Sequence, residues 1–238
     1  MRIRNFISAA AAVLALVGLA TTAMAAPVTT PAGIGPGDQY RLAFVTSLTM
    51  NPQSSDIADY NDFVTSVANG VAELAALGTT WTAIGSTASV DARDNTSTNP
   101  NTDGVGVPIY LLDGTTKIAD DYADLWDGHI AGAIAVYETG APYAGADVVW
   151  TGTDNDGTAS PVLWNSGPLG SAVPTYGDPY DQWAWVNYAG WAQTDYASSI
   201  FAISGLLPVP ASDVPAPGGL VLFGFGLAVL VRARRRSA

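Results

Sequence analysis

The sequence predicts an α+β domain with one long helix, one short helix and several short strands, carried between an N-terminal signal helix and a C-terminal transmembrane helix. Three observations predict it. Apolar residues alternate at period two around residue 40 and recur at spacings of three and four after residue 56, so the hydrophobic period changes from strand-like to helix-like within one stretch. Beyond residue 80 the apolar runs are short and broken by turn residues, which suits short strands rather than further long helices. Both ends of the chain are apolar with arginines on their outer flanks, unlike the acidic middle.

The chain divides into residues 1–25, 26–207, 208–217, 218–231 and 232–238. In the first segment Arg2 and Arg4 form a basic region, Phe6 to Leu19 an apolar one, and Ala23-Met24-Ala25 the small-x-small pattern of a cleavage point near Ala26. That order is a secretory signal peptide, the substrate of signal peptidase, with Ala23 and Ala25 as its recognition residues.

The exported segment opens on Tyr40-Arg-Leu42-Ala-Phe44-Val-Thr46, a strand by its alternation. Ser54-Ser55-Asp56 is a helix N-cap signal, and Ile57, Tyr60, Phe63, Val64, Val67, Val71 and Leu74 follow at helical spacing, with Gly78 placed as the stop. Trp81 to Thr87 is expected as a second strand and Ser89 to Gly106 as an irregular polar stretch. Ile109 to Leu111 reads as a short strand closed by the Asp113-Gly114 turn. Asp120 to Gly128 is expected as the short helix, and Ala133–Tyr137, Val148–Thr151 and Ser199–Ile203 as strands. Gly152 to Gly190 reads mostly as turns, and Pro208 to Pro217 as an extended, semi-rigid linker.

Gly218 to Val231 holds 14 residues without a charge. At 1.5 Å per residue this is about 21 Å of helix, and about 27 Å if it starts at Val214, against a hydrocarbon core of about 30 Å. The arginines beyond the span, Arg232, Arg234, Arg235 and Arg236, can snorkel to the headgroups and place the C-terminus in the cytoplasm. The ordered combination of Val214-Pro215-Ala216-Pro217, a short span and terminal arginines resembles the PEP-CTERM sorting signal of exported bacterial proteins. Ala216 stands where that family has a glutamate. The resemblance implies sorting by an exosortase, an inner-membrane-anchored intermediate, removal of the tail, and delivery to the cell surface or the extracellular matrix.

Between the two address segments only Arg41, Arg93 and Lys117 stand against all 21 acidic residues, a net charge of −18 over residues 26–213. Nucleic acid is thereby excluded as a partner, since its backbone demands cations. The same charge suits solubility, cations or basic partners and repels acidic polymers. The chain has no cysteine, which removes disulfides, thiolate metal sites and cysteine nucleophiles. Its seven tryptophans, ten tyrosines and six phenylalanines supply the buried area that must hold the core instead.

A second resemblance rests on the long helix followed by Trp81-Thr-Ala-Ile84, Val107-Pro108-Ile109-Tyr-Leu111, Asp124-Leu125-Trp126-Asp-Gly128 and Val149-Trp150-Thr-Gly152-Thr-Asp154-Asn-Asp156-Gly157. These segments resemble the endostatin-like branch of the C-type-lectin-like fold over residues 40 to 203. The resemblance implies that the first and last strands pair. It brings no function, because the fold hosts many.

Several constellations carry chemistry. Asp154, Asn155 and Asp156 cluster oxygen ligands suited to calcium, and the same letters also read as a tight polar turn. Asp91-Ala-Arg93-Asp94-Asn95 reads as an arginine pinning a loop through flanking carboxylates. Asp120, Asp121, Asp124 and Asp127 are close enough in sequence for paired-carboxylate hydrolysis or for a solvated helix face. The single histidine, His129, has no Gly-x-Ser-x-Gly partner motif, and zinc would need more nitrogen or sulfur ligands than the chain offers. Trp164, Trp183, Trp185 and Trp191 are candidate stacking platforms for a glycan. The expectation is a non-catalytic exported surface or matrix protein with no resident cofactor. A calcium-assisted, lectin-like carbohydrate-binding module is the alternative, with extracellular polysaccharide as partner, and a glycoside hydrolase the third reading.

Overall fold

The strand at Gln39–Val45 (β1) is apolar at five of its seven positions, and the fold buries it on both faces: Tyr40, Leu42 and Phe44 lie to one side, Arg41, Ala43 and Val45 to the other. A strand so placed must be central. In the computed structural model, which describes residues 26–209, β1 sits in the middle of a six-stranded sheet. Its neighbours are β3 (Ile109–Leu111), which runs parallel to it, and β8 (Phe201–Ser204), which runs antiparallel. β2 (Trp81–Ala83) pairs with β8 on the outside, and β4 (Lys117–Ala119) with β3, giving the order β2-β8-β1-β3-β4. The last strand, β9 (Leu207–Pro208), continues the chain of β8 and pairs with Gln39 and Tyr40, so the first and last strands lie together. Few helices and many strands make this an α+β fold.

The long helix α1 (Ile57–Asn69) begins at Asp56, whose carboxylate accepts the Ala58 N–H at 3.0 Å. Tyr60, Val64, Val67 and Ala68 form its buried stripe against β2. Removing the cap with Asp56→Ala is expected to cost about 1 kcal/mol, seen as a fall in melting temperature of about 2–4 °C by far-ultraviolet circular dichroism. The free edge of β2 is covered by side chains. Asn61 Oδ1 accepts the Ala83 N–H at 2.9 Å, Asn95 Nδ2 donates to Ala83 O at 2.8 Å, and Thr65 Oγ1 donates to Trp81 O at 2.9 Å. A capped edge offers no template for a foreign strand.

Four sequence expectations are corrected. The helix does not run to Gly78: Gly70 N–H bonds back to Ser66 O and Val67 O, Val71 is extended at φ −109° and ψ 119°, and a separate short helix, α2 (Ala72–Ala75), follows. Glycine followed by a β-branched residue is a poor helix continuation, and the break lets Leu74 reach the core. β2 ends at Ala83 rather than Thr87, because Ser86 leaves the sheet to bond Thr151 O at 2.8 Å. Ala133–Tyr137 is not a strand. Ala135 N–H bonds to Ala133 O, folding the segment on itself, and only isolated bridges remain, one joining Tyr137 to Val45. The linker does not include Pro208 or Val209, since Pro208 belongs to β9 and the buried Val209 donates its N–H to Asp38 O at 2.8 Å.

Two short helices complete the set, α3 (Ala92–Asn95) inside the expected irregular stretch and α4 (Tyr122–Leu125) where the short helix was expected. The turn-rich region contains a second sheet of three strands, β5 (Val149–Trp150), β6 (Thr175–Gly177) and β7 (Ala189–Gly190), in the order β5-β6-β7. Trp150 N–H donates to Ser199 O at 3.1 Å, tying this sheet to the chain that enters β8. Between the sheets Trp126, Trp185 and Phe201 pack ring to ring, at centroid distances of 5.6 Å and 6.1 Å.

The expected signal peptide with Ala23 and Ala25, the expected sorting motif Val214 to Pro217, the expected membrane segment and the arginine tail lie outside the described residues. Among the described residues no helix is long and apolar enough to cross a membrane.

Candidate functional site

The expected calcium ligands form a hairpin turn. Asp154 N–H donates to Thr158 O at 2.8 Å, and Gly157 closes the turn at φ +80°, a left-handed conformation glycine adopts without a steric penalty. Asp154 Oδ1 accepts from Asn155 N–H and from Asn187 Nδ2, each at 2.8 Å. Asp156 Oδ1 accepts from the Thr158 hydroxyl at 2.6 Å and the Thr158 N–H at 3.0 Å. The carboxylates are thus engaged by the turn and by Asn187, and among the described residues no three acidic or histidine side chains converge on one point. Asp91 and Arg93 hold the same hairpin from behind. Asp91 Oδ1 accepts the Ala159 N–H at 2.8 Å, Arg93 N–H donates to Gly157 O at 3.1 Å, and the Asp91–Arg93 pair itself is long at 3.9 Å. The loop is pinned mainly through backbone groups rather than by the expected bidentate clasp.

The four aspartates around α4 are spent locally. Asp121 caps the helix by accepting the Asp124 N–H at 2.9 Å, and Asp124 Oδ2 accepts the Asp120 N–H at 2.6 Å. Asp120 pairs with Lys117. Asp127 Oδ1 accepts the His129 N–H and faces His129 Nδ1 at 3.0 Å.

Burial separates the four candidate tryptophans. Trp185 is 0% exposed, enclosed by Trp126 and Phe201, and so is part of the core and not a platform for any ligand. Trp164 is 88% exposed at the tip of a hairpin closed by Leu163 N–H to Ser166 O at 2.8 Å. Trp183 is 68% exposed and stacks on His129 at 4.6 Å and 16°, on a loop fixed by Asp181, whose carboxylate accepts the Trp183 and Ala184 N–H groups. Trp191 is half-buried beside β7, within 6.2 Å of Trp150 and 4.8 Å of Tyr196.

Trp191 belongs to a strip that the tryptophans alone do not reveal. From Tyr188 the rings run to Tyr176 at 5.6 Å, to Trp191 at 6.4 Å and to Tyr196 at 4.8 Å. Tyr188 is 60% and Tyr196 37% exposed, whereas Tyr176 and Trp191 form the half-buried floor. The Trp150 indole N–H donates to Tyr196 O at 3.0 Å, fixing the outer end of the strip to the small sheet. Burial, then Tyr188, Asp147 and Asp178, push the Tyr176 phenol above its ordinary value. It therefore remains a neutral hydroxyl at physiological pH. The Trp164 hairpin flanks the same sheet: a Cβ on Gly190 of β7 would overlap Asn165 O and stand 2.9 Å from Ser166 Cα. The sequence signal for the strip is aromatic residues at 176, 188, 191 and 196 within polar, turn-rich chain, where no apolar period calls for them.

Asp113, Asp156 and Asp181 sit below the ordinary aspartate value of 3.8. Burial raises Asp113 and Asp156, but hydrogen bonds from Thr115 and Thr116, and from Thr158 with the nearby Arg93 charge, outweigh it. Backbone donors of Ala184 and Trp183 lower Asp181. A depressed folded value means that each ionised turn adds stability above the unfolded value, lost as the pH falls through the folded one. Carboxyl carbon shifts followed by NMR are expected to titrate with midpoints below 3.8 at these three positions. Midpoints at or above it would contradict the hydrogen-bonded turns.

Set against known proteins, this chain matches no family model and none of the curated proteins.

Proposed function

We propose that the chain is a non-catalytic exported bacterial protein of the cell surface or extracellular matrix, sorted by an exosortase, with signal peptidase acting first. The observation that carries this reading is the pair of basic-flanked apolar ends around an acidic, cysteine-free middle. Its ectodomain is proposed to be C-type-lectin-like, a reading supported by the pairing of β1 with β9 and by the single long helix beside the sheet. The carboxylates around α4 and in the 154–158 turn serve as caps and turn acceptors, which favours a structural or binding role over hydrolysis.

Fractionation of cells expressing the full chain, with intact-mass measurement of each fraction, tests this. The protein is expected in the envelope or medium without residues 1–25, and replacement of Arg232, Arg234, Arg235 and Arg236 by glutamine is expected to disturb sorting. Recovery of the uncleaved chain from the cytosol, or unchanged sorting of the tail variant, would overturn the proposal.

The second reading, a carbohydrate-binding module, is favoured by the exposed rings of Trp164, Trp183, Tyr188 and Tyr196. Exposed large aromatic side chains are the usual stacking surfaces of such a module.

A further inference from the structure

We propose that the strip formed by Tyr188, Tyr176, Trp191 and Tyr196 on the small sheet binds single strands of an uncharged polysaccharide by ring stacking, without calcium. The inference rests on the carbohydrate-binding reading and narrows it to one face and one ligand class. The C–H bonds on the flat face of a sugar ring carry slight positive charge and meet the negative face of an aromatic ring, an attraction of the same origin as edge-to-face aromatic pairing. Four rings at centroid steps of 5.6, 6.4 and 4.8 Å offer consecutive contacts to consecutive sugars.

Charge chooses among polymers. Arg41 is buried, Arg93 lies against Asp91 and Asp156 O, and Lys117 is paired with Asp120 on the larger sheet, so among the described residues no cation is placed to receive a uronate or sulfate at the strip. Asp147 and Asp178 lie close enough to act on the Tyr176 hydroxyl. Their negative charge repels acidic chains.

Shape chooses within the neutral class. Successive rings are inclined by 40°, 59° and 45°, so the surface is corrugated. A flat crystalline polymer needs coplanar rings, whereas a single twisting strand can follow inclined ones. Asp154 and Asp156 are held in their own turn, and stacking of a sugar on an aromatic face needs no metal to bridge protein and ligand.

Affinity electrophoresis of the full chain in mild detergent tests this, using soluble galactomannan, xyloglucan and amylopectin, with alginate and microcrystalline cellulose as contrasts. Retardation is expected with at least one neutral polymer, unchanged by EDTA, and absent with alginate and with cellulose pull-down. The double substitution Tyr188→Ala with Tyr196→Ala removes exposed rings and is expected to weaken retardation by about two- to tenfold per ring lost. Thermal melting of the variant verifies the fold, and Tyr188→Phe with Tyr196→Phe is expected to retain most binding. Retardation that survives the double alanine change but vanishes in Trp164→Ala or Trp183→Ala would overturn the strip and leave the broader reading standing. Loss of binding in EDTA, or preference for alginate, would overturn the ligand assignment. No retardation with any of the neutral polymers would overturn both.

Discussion

Replacing Arg41 by alanine is expected to lower the melting temperature by about 10 °C, corresponding to about 4 kcal/mol for a domain of this size. The guanidinium is buried inside the sheet region, among the described residues it forms no ion pair, and neutral oxygens take its donors instead. Nη1 donates to Thr96 O at 2.9 Å and Ser204 O at 2.8 Å, Nη2 to Ser97 O at 3.0 Å, and Nε to the Tyr122 hydroxyl at 2.9 Å. One side chain thereby joins β1, β8, the end of α3 and the start of α4. Ser97 sits at φ +51°, a conformation rare outside glycine, and the bond to its carbonyl helps to hold it there. Arg41→Ala leaves several buried acceptors without donors, each at a cost of about 1–3 kcal/mol, partly recovered because the charge no longer needs to be desolvated. Arg41→Lys keeps the charge but cannot span acceptors set in a fork, so it is expected to recover less than half of the loss. An alanine variant that melts within about 2 °C of the parent would show that these bonds are not needed.

The second large effect is expected at Gly177. Its backbone is in β6, and a Cβ built there would overlap the carbonyl of Trp185 and lie 2.9 Å from Val186 Cα. Both obstacles are main chain, so no side-chain rotation relieves them. Gly177→Ala must therefore push the 178–188 loop off the sheet, loosening Trp185 against Trp126 and Phe201. A cost of about 3 kcal/mol follows from overpacking of this kind. Denaturant unfolding followed by tryptophan fluorescence is the measurement, with a shift of the emission maximum to longer wavelength as Trp185 meets water. Gly78→Ala is the contrast, because its positive φ of +58° is strained by a side chain but nothing lies within 4 Å. If Gly177→Ala proved no more costly than Gly78→Ala, the close approach of the two backbones would be wrong.

What the chain disclosed by inspection was whatever is encoded locally. The alternation from Tyr40 to Thr46 and the Asp56 cap are short-range signals, and β1 and the start of α1 fall where those signals place them. The end of α1 was misplaced because Val71 and Leu74 keep the apolar spacing across Gly70, and spacing says nothing about a backbone that breaks and resumes. β6, β7 and β9 are two or three residues long and exist through partners well separated in sequence. Ala189-Gly190 has no strand preference at all, and pairing with Thr175 and Tyr176 makes it one. The candidate site shows the same boundary. Trp164 and Trp185 are the same residue type in the same turn-rich region, yet one is 88% exposed and the other fully enclosed. Only the arrangement of the small sheet decides which aromatic ring meets solvent.

The position of β1 also sets an order of events. The strand is made early, yet its antiparallel neighbours β8 and β9 come from the far end of the domain, and the Arg41 and Leu42 bonds to Ser204 span 163 and 162 residues. Such long-range closure is slow relative to local structure. The central strand stays unsealed until almost the entire domain has been synthesised, so the sheet closes last and the early part of the chain waits for its final strands.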